Sequence, residues 1–273
     1  MSGNRKKYAP EYREQAVRLT APADVLVPGD GEGRNGVWLA RQGHRVTAVD
    51  SSAVGLQKAR DLAATLGVTV TTVLADLGDW SPAPASVDAV VLVYTHLPDA
   101  IRRSAHQRLA SSLRPGGWLL CSTFGPDTLT ELRQSWAAVD DDPHVNVFID
   151  MHDVGDRLLS AGFRDPMLDV EHYDLRYSDP KVLMRELKGI GAGNADAERA
   201  RGLTGKRKLA TLLAAYEGFR GDDGRYPASY EVVYAQAQAP DASQPRRRGG
   251  TDIAAVSVDS LRAQLKARRS KET

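Results

Sequence analysis

A glycine-rich turn between two apolar segments constrains the fold of this chain more than any other feature. The turn lies in the sequence VLVPGDGEGRNGVWLARQGHRVTAVDSS, residues 25–52. The hydrophobic pattern predicts a buried strand at DVLVPG, a helix over Arg34 to Arg41 and a second strand at RVTAVD. A strand and a helix that return the chain to a neighbouring strand are the repeating unit of a parallel sheet.

The same alternation continues as far as Phe124. A helix from Val54 to Leu66 is followed by Gly67, a residue suited to ending it. Beyond it the pattern predicts the strands VTVTTVLAD, VDAVVLVYTH and WLLCSTF, with the turn-rich SPAPAS, the helix IRRSAHQRLASSL and the turn RPGG between them. We therefore expect a doubly wound α/β fold, in which a mostly parallel sheet has helices on both faces.

The pattern changes after Phe124. Helices are predicted up to Trp136 and from Asp153 to Ala161, then the strands FRDPMLDVEHYDLRY and SYEVVYAQAQA, with helical stretches around 180–189 and 206–220 between them. Such an arrangement fits a sheet that finishes antiparallel and has an inserted helical cap. We expect a peripheral segment at 1–22, one domain at 23–239 with its cap at about 178–225, and a basic flexible tail at 240–273, in which PDASQPRRRGG is a linker.

Composition excludes several other classes of protein. No apolar segment reaches the roughly 18–20 residues that a membrane helix needs, and the first residues lack the apolar core of a signal peptide, so a cytoplasmic location is expected. A net charge of +1 argues against nucleic-acid binding. Cys121 lies in an apolar run and is predicted to be a buried strand residue, and no Cys or His spacing predicts a metal site.

The glycines themselves allow two interpretations. A phosphate-binding loop is excluded because Val37, and not Lys, follows Gly36. GEGRNG, residues 31–36, fits the dinucleotide-binding pattern, with Asp50 about 20 residues further on. The alternative phasing, Gly29, Gly31 and Gly33, suits close approach of an adenosyl ligand. Because Asp50 would bind ribose hydroxyls in either case, these residues alone leave the choice open.

Three segments together resemble the class I S-adenosylmethionine-dependent methyltransferases: residues 25–52, LAD at 74–76 and LASSLRPGGWLL at 109–120. The resemblance implies a seven-stranded Rossmann-like sheet with S-adenosylmethionine as cofactor and S-adenosylhomocysteine as product. It further implies that Asp50 binds the ribose, Asp76 the adenine amino group and Gly29 to Gly33 the methionine part. Where the family often has an acidic residue this chain has Val27, and Asp30 and Glu32 are the candidates to replace it. The full set of cofactor residues implied is Gly29, Asp30, Gly31, Gly33, Asp50, Ser51, Asp76, Leu77 and Tyr94.

A second resemblance covers residues 109–239. STFGPDTLTELRQSW, PHVNVFIDMHDVGDRLLSAGFRDPMLD, LMRELKGIGAGNA, ARGLTGKRKLATLLAAYEGFR and YPASYEVVYAQA are similar to the malonyl-[acyl-carrier protein] O-methyltransferases of biotin synthesis. Residues 25–98 resemble small-molecule methyltransferases of the tellurite-resistance type. The implied reaction is methylation of the free carboxyl group of malonyl-[acyl-carrier protein]. The alternatives are another small acceptor, or a cofactor-binding protein without turnover.

The candidate acceptor residues follow from this chemistry. A malonyl carboxylate is already an anion at neutral pH, so it needs a cation to orient it and no general base. Arg133 and Arg185 are the candidate cations, and Tyr94 and His96 follow the fourth strand, where this fold places acceptor-facing groups. His96 is a candidate base for a different acceptor or a structural histidine, and Asp150 and Asp153 are helix caps or site residues. The basic run Arg199 to Lys208 is a candidate docking patch for an acidic carrier protein.

Overall fold

The structure is a computed structural model, and it describes residues 22–189, 205–241, 246–248 and 251–253. Residues 1–21 of the predicted peripheral segment, residues 199–204 of the basic run and most of the predicted flexible tail lie outside this part of the chain.

Seven strands form one sheet in the order β3-β2-β1-β4-β5-β7-β6. Their bounds are Asp24–Pro28 (β1), Arg45–Asp50 (β2), Thr71–Leu74 (β3), Val87–Val93 (β4), Leu113–Phe124 (β5), Arg164–Tyr177 (β6) and Tyr226–Gln238 (β7). Strands β1 to β5 pair in parallel, whereas β7 runs antiparallel to both of its neighbours, β5 and β6. The sheet confirms the predicted doubly wound fold with an antiparallel final strand.

Seven α-helices are described. They are Arg34–Arg41 (α1), Ala53–Thr65 (α2), Asp99–Ser111 (α3), Thr130–Ala137 (α4), Met151–Ser160 (α5), Pro180–Gly189 (α6) and Lys206–Tyr216 (α7), the last followed by a 3-10 turn at Glu217–Phe219. Val37 and Ala63 from α1 and α2 pack on one face of the sheet. Leu109 and Leu158 from α3 and α5 pack on the other. Among the described helices, none is long and apolar enough to cross a membrane.

A helical cap lies beyond the carboxyl end of β5. Phe124 at the end of β5 is paired with Val232, but the β6–β7 hairpin continues to the pair Tyr177 and Tyr226. The projecting part of the hairpin packs with α4, α6 and α7 around the buried Leu212 and Tyr216. Helix α4, which precedes the predicted insertion in the chain, is thus part of the same apolar cluster.

The predicted turn RPGG is instead a bulge inside β5. Val87 pairs with Leu113, but Ala89 pairs with Trp118. Between these two pairs β5 has four residues and β4 has one, so three residues of β5 are extra. The bulge is tight, because a Cβ on Gly117 would lie 2.9 Å from the carbonyl oxygens of both Asp88 and Arg114. The Arg114 side chain also forms ion pairs with Asp24 and Asp88, which joins the amino ends of β1, β4 and β5. These contacts keep the segment within the sheet.

The tail differs from the prediction at one point. Arg246–Arg248 (β8) and Thr251–Ile253 (β9) pair antiparallel, although the sequence analysis assigned residues 246–248 to a linker. The Gly-Gly sequence between them is typical of a two-residue hairpin connection. The composition that suggested a linker is therefore also that of a short hairpin.

Candidate active site

In the loop after β1, the first and third glycines pack closely against neighbouring side chains, and the second faces open space. Gly29, Gly31 and Gly33 all have positive φ, at 70°, 55° and 82°, a region that glycine adopts without strain. A Cβ on Gly29 would lie 2.9 Å from Thr95 Cγ2, and one on Gly33 would lie 2.5 Å from Ala59 Cβ. A Cβ on Gly31 would meet nothing within 4 Å. The open space at Gly31 is therefore where a ligand can approach the backbone.

Asp50 closes one side of this space. It is the last residue of β2, and its Oδ2 accepts the backbone N–H of Gly31 at 2.9 Å. Its Oδ1 accepts the N–H of Ser52 at 2.8 Å, and the Ser52 hydroxyl in turn caps α2 through the N–H of Gly55. Two hydrogen bonds thus fix the carboxylate beside the glycine loop. Ser51 is exposed between them.

The Asp30 side chain is turned away from the open space. It is buried, and both carboxylate oxygens accept the N–H of Gly36 at the start of α1. Burial raises the pKa of Asp30 to about 7, although the N–H groups of Gly36 and Asn35 lower it. Glu32 pairs with Lys58 at 2.6 Å. Both candidates to replace an acidic residue at Val27 therefore have other partners, and any ligand contact from Asp30 would come from its backbone.

Asp76 and Leu77 follow β3, next to Asp50. The N–H of Ala75 donates to the Asp50 carbonyl oxygen at 3.1 Å, which brings the two strand ends together. Asp76 is exposed, and its Oδ1 accepts the N–H of Gly78 at 2.7 Å. Leu77 is buried in the apolar cluster with Leu109, so its side chain belongs to the core.

An aromatic cluster lies at the carboxyl ends of β4 and β5, across the point where the strand order reverses. Its members are Tyr94, His96, Phe124, Phe148 and Tyr230. The Tyr94 ring stacks on Phe124 at 4.7 Å between centroids, and His96 stacks on the same ring at 5.8 Å. Phe148 and Tyr230 contact Phe124 at 5.6 and 5.9 Å. The structure thus brings the predicted Tyr94 and His96 together with three aromatic residues that the sequence analysis missed.

The surroundings of His96 favour its neutral form. Burial against the aromatic rings, and then the nearby charge of Arg102, lower its pKa. A cation for a carboxylate acceptor must therefore come from elsewhere.

The hydrogen bonds of the two predicted arginines go to backbone carbonyl oxygens outside the aromatic cluster. Arg133 on α4 donates from Nη1 to the carbonyl oxygen of Pro126 and from Nη2 to that of Thr128, both at 3.0 Å. Its Nε is buried and has no hydrogen-bond partner among the described residues. Arg185 is exposed on α6, where its Nε donates to the Lys181 carbonyl oxygen at 3.3 Å. Arg133 therefore stabilises the loop after β5, whereas Arg185 lies on the surface of the cap.

Other residues of the later motifs have structural contacts. Asp150 is the N-cap of α5 and accepts the N–H of Asp153. His144 stacks on Trp136 at 3.6 Å and lies 2.6 Å from Asp140. Cys121 lies in β5, and burial raises the pKa of its thiol to about 12, as expected of a core residue and not of a nucleophile.

Among the described residues, two groups bring metal-ligand atoms within 4.8 Å of one another: Asp127, His172 and Glu231, and Asp140, Asp142 and His144. Both groups have partners within the protein. Glu231 accepts the N–H of Asp127 at 2.7 Å, and Asp140 pairs with Lys208 at 2.6 Å. That the protein needs no metal stays a prediction.

Comparison with known proteins decides the family. The malonyl-[acyl-carrier protein] O-methyltransferase of Laribacter hongkongensis is 43% identical over 248 residues, covering 85% of this chain and 82% of that one. The chain belongs to this family. A protein of the same name from Halorhodospira halophila is 40% identical, covering 92% and 85% of the two chains. The second alignment covers 92% of this chain, so it cannot be confined to residues 109–239 and it includes the glycine loop.

Two further matches agree with the fold. Residues 25–117 match a family profile described as a methyltransferase domain. A solved structure from Bacillus halodurans has a TM-score of 0.61 at 18% identity and covers 84% of this chain and 97% of that chain, which shows that the fold is shared. The protein is therefore a methyltransferase dependent on S-adenosylmethionine, and the expected class of enzyme and cofactor is confirmed.

Proposed function

We propose that this enzyme methylates the free carboxyl group of malonyl-[acyl-carrier protein], in the cytoplasm, as a step towards biotin. The observation that carries the proposal is the 43% identity to a malonyl-[acyl-carrier protein] O-methyltransferase over 85% of the chain. A second enzyme with that name aligns with 92% of the chain, so both the glycine loop and the capped half have counterparts in it.

The described residues fit the adenosyl cofactor. The space at Gly31 accepts a ligand beside the backbone, and the fixed Asp50 carboxylate offers acceptors to ribose hydroxyls. Asp76 is exposed at the next strand end, as an acceptor for an amino group. We assign the adenosyl part to Asp50 and Asp76, and the methionine part to the loop from Gly29 to Gly33.

The acceptor is assigned to the aromatic cluster, on the other side of the strand reversal. When bound, S-adenosylmethionine supplies an electrophilic methyl group. A carboxylate needs no proton removed before it attacks, since its ordinary pKa is about 4. The cluster's task is to exclude water and align the carboxylate with the methyl group. A neutral His96 is compatible with this task.

The cation that orients the carboxylate is assigned to the cap. Arg133 has used two donor groups on backbone carbonyl oxygens, so its remaining capacity is limited. Arg185 uses only Nε within the described part of the chain, and its terminal nitrogens suit a bidentate carboxylate contact. We therefore rank Arg185 ahead of Arg133 for this role.

The acyl-carrier protein is the proposed partner. Lys206 and Arg207 are exposed at the start of α7, and they belong to the basic run predicted as a docking patch. Lys208 differs, because it pairs with Asp140. The charges of Lys206 and Arg207 are available to the acidic surface of a carrier protein.

A series of acceptors tests this proposal. Methylation rates are compared for malonyl-carrier protein, acetyl-carrier protein and malonyl-coenzyme A. We expect the acetyl thioester to be inert because it has no free carboxyl group, and malonyl-coenzyme A to have the higher KM because it lacks the protein partner. Equal rates with the malonyl and acetyl carriers would exclude the carboxyl group as acceptor. Transfer only to an unrelated small molecule would replace this proposal.

A further inference from the structure

The loop after β3 is a compact turn built on Asp76. The Asp76 carbonyl oxygen accepts the N–H of Asp79 at 3.1 Å and that of Trp80 at 2.8 Å. The side-chain Oδ1 accepts the N–H of Gly78. Within the described part of the chain, Oδ2 has no hydrogen-bond partner. The direction in which this oxygen faces therefore depends on the shape of the turn.

Arg108 on α3 holds the other side of the same turn. Its Nη2 donates to the carbonyl oxygens of Leu77 at 2.8 Å and Gly78 at 2.6 Å, and its Nε donates to that of Trp80 at 3.0 Å. The side chain is half-buried. A planar guanidinium can join three carbonyl oxygens at fixed angles, and its charge strengthens each hydrogen bond. Lysine has no comparable fork.

The rest of α3 adds only apolar contacts to this turn. Leu109 and Leu77 share one buried cluster, and Ile101 Cγ2 lies 3.4 Å from the position of a Cβ on Gly78. These contacts set the distance between the loop and the helix. They do not set the orientation of the peptide groups, because apolar packing is not directional. That orientation is set by hydrogen bonds, both those within the turn and those that Arg108 adds from α3.

We propose that Arg108 is a positioning residue for recognition of the adenine amino group. By fixing the peptide groups of Leu77, Gly78 and Trp80, it holds the Asp76 carboxylate where it accepts that amino group. Arg108 itself touches neither the cofactor nor the acceptor. The inference rests on the proposed assignment of Asp76 to adenine.

The test compares two ligands that differ at position 6 of the purine, where one has the amino group and the other an oxygen, and at the adjacent N1, which carries a proton only in the second. Binding of S-adenosylhomocysteine and of S-inosylhomocysteine, which has an oxygen there, is measured by calorimetry for the wild type and for Arg108→Gln. We expect the variant to lose roughly tenfold in affinity for the adenosyl ligand, the worth of one good hydrogen bond, and little for the inosyl ligand. The preference between the ligands is a readout that general loss of stability does not produce. Arg103→Gln, at an exposed position of the same helix, is the matched control.

Asp76→Ala separates this inference from the site on which it rests. We expect it to abolish the preference, and the double variant to show no further loss. If Asp76→Ala keeps the full preference, the assignment of Asp76 to adenine is wrong and the inference fails with it. If Asp76→Ala abolishes the preference but Arg108→Gln keeps it, only the role of Arg108 is overturned. Arg108→Lys, which keeps the charge without the fork, serves the same comparison if Arg108→Gln does not fold.

Discussion

Asp50 is the side chain on which cofactor binding depends most directly. Its two oxygens accept the N–H groups of Gly31 and Ser52, so it reaches the ligand already oriented. In Asp50→Asn an amide N–H₂ group faces one of these donors, and the negative charge offered to ribose hydroxyls is gone. We expect the affinity for S-adenosylhomocysteine to fall by roughly tenfold or more, measured by calorimetry.

Asp61→Asn is the matched control for this change. Asp61 is exposed on α2, and within the described part of the chain its carboxylate accepts a hydrogen bond from the Gln57 side chain alone. The affinity of Asp61→Asn for S-adenosylhomocysteine should stay at the wild-type value. Equal affinities for all three proteins would mean that Asp50 does not contact the ribose.

Asp30 makes stability depend on pH. The folded protein keeps the Asp30 proton up to about pH 7, whereas the unfolded chain loses it near its ordinary value of about 4. Between these values the folded state binds more protons, so the stability from this group falls as pH rises and is lost above about pH 8. Asp30→Asn has no proton to lose. We expect the Tm of Asp30→Asn, relative to the wild type, to rise between about pH 5 and pH 8.

Thermal unfolding of the two proteins across this range measures the effect. Two Tm curves that run parallel from pH 5 to pH 8 would contradict the raised pKa of Asp30.

The pH dependence of kcat in the wild type and in His96→Phe distinguishes a carboxylate acceptor from an acceptor that must lose a proton. With a carboxylate, kcat should be flat between about pH 7 and 9, because the acceptor is already ionised. His96→Phe keeps an aromatic ring in the cluster and should raise the acceptor KM while leaving the profile flat. A wild-type kcat that rises with pH through a pKa absent from His96→Phe would instead identify His96 as a general base.

At the level of elements, substitutions in the glycine loop distinguish a glycine that stability requires from a glycine that ligand binding requires. Gly33→Ala places a Cβ 2.5 Å from Ala59 Cβ at a positive φ, so we expect a marked loss of stability. Gly31→Ala meets no protein atom, so its stability loss should be limited to about 1 kcal/mol of backbone strain. Its Cβ does occupy the proposed ligand space. We therefore expect Gly31→Ala to fold and to bind S-adenosylhomocysteine weakly.

Gly67→Ala is the control, because Gly67 also has a positive φ of 67° and open space around it, at the end of α2. It should lose similar stability and bind the ligand normally. Tm and calorimetric affinity are measured for all three variants. Equal affinities for Gly31→Ala and Gly67→Ala would place the ligand elsewhere.

Sequence patterns predicted the helices and strands better than they predicted the contacts of individual side chains. The period of apolar residues predicted the strands and helices of residues 22–124, because each buries one face against the sheet. It could not separate a turn from a bulge at RPGG, since Gly116 and Gly117 suit both, and the outcome depends on pairing with β4. The period of apolar residues also could not predict the hydrogen-bond partners of Asp30 and Arg133. Both side chains bond backbone groups of nearby turns, and such hydrogen bonds leave no periodic signal.

For the whole molecule, the basic run should act on association with the carrier protein. In Lys206→Glu/Arg207→Glu the patch repels an acidic partner, so we expect the KM for malonyl-carrier protein to rise at low salt, with kcat nearly constant. The difference should shrink as salt screens the charges. Steady-state kinetics at two ionic strengths measure this effect.

Arg41→Glu/Arg157→Glu reverses two exposed charges on α1 and α5 and is the control of equal net charge. It should retain the wild-type KM. If both double variants raise KM equally, the carrier responds to overall charge and not to this patch.

The central claim is that both halves of the chain form one working site. The most direct measurement is transfer of a labelled methyl group from S-adenosylmethionine to malonyl-carrier protein, with S-adenosylhomocysteine binding titrated on the same sample. We expect one binding site per chain and label in a base-labile ester on the malonyl group. Binding with no label on malonyl-carrier protein would contradict it, and would mean that the glycine loop holds the adenosyl ligand but that the acceptor is not the proposed one.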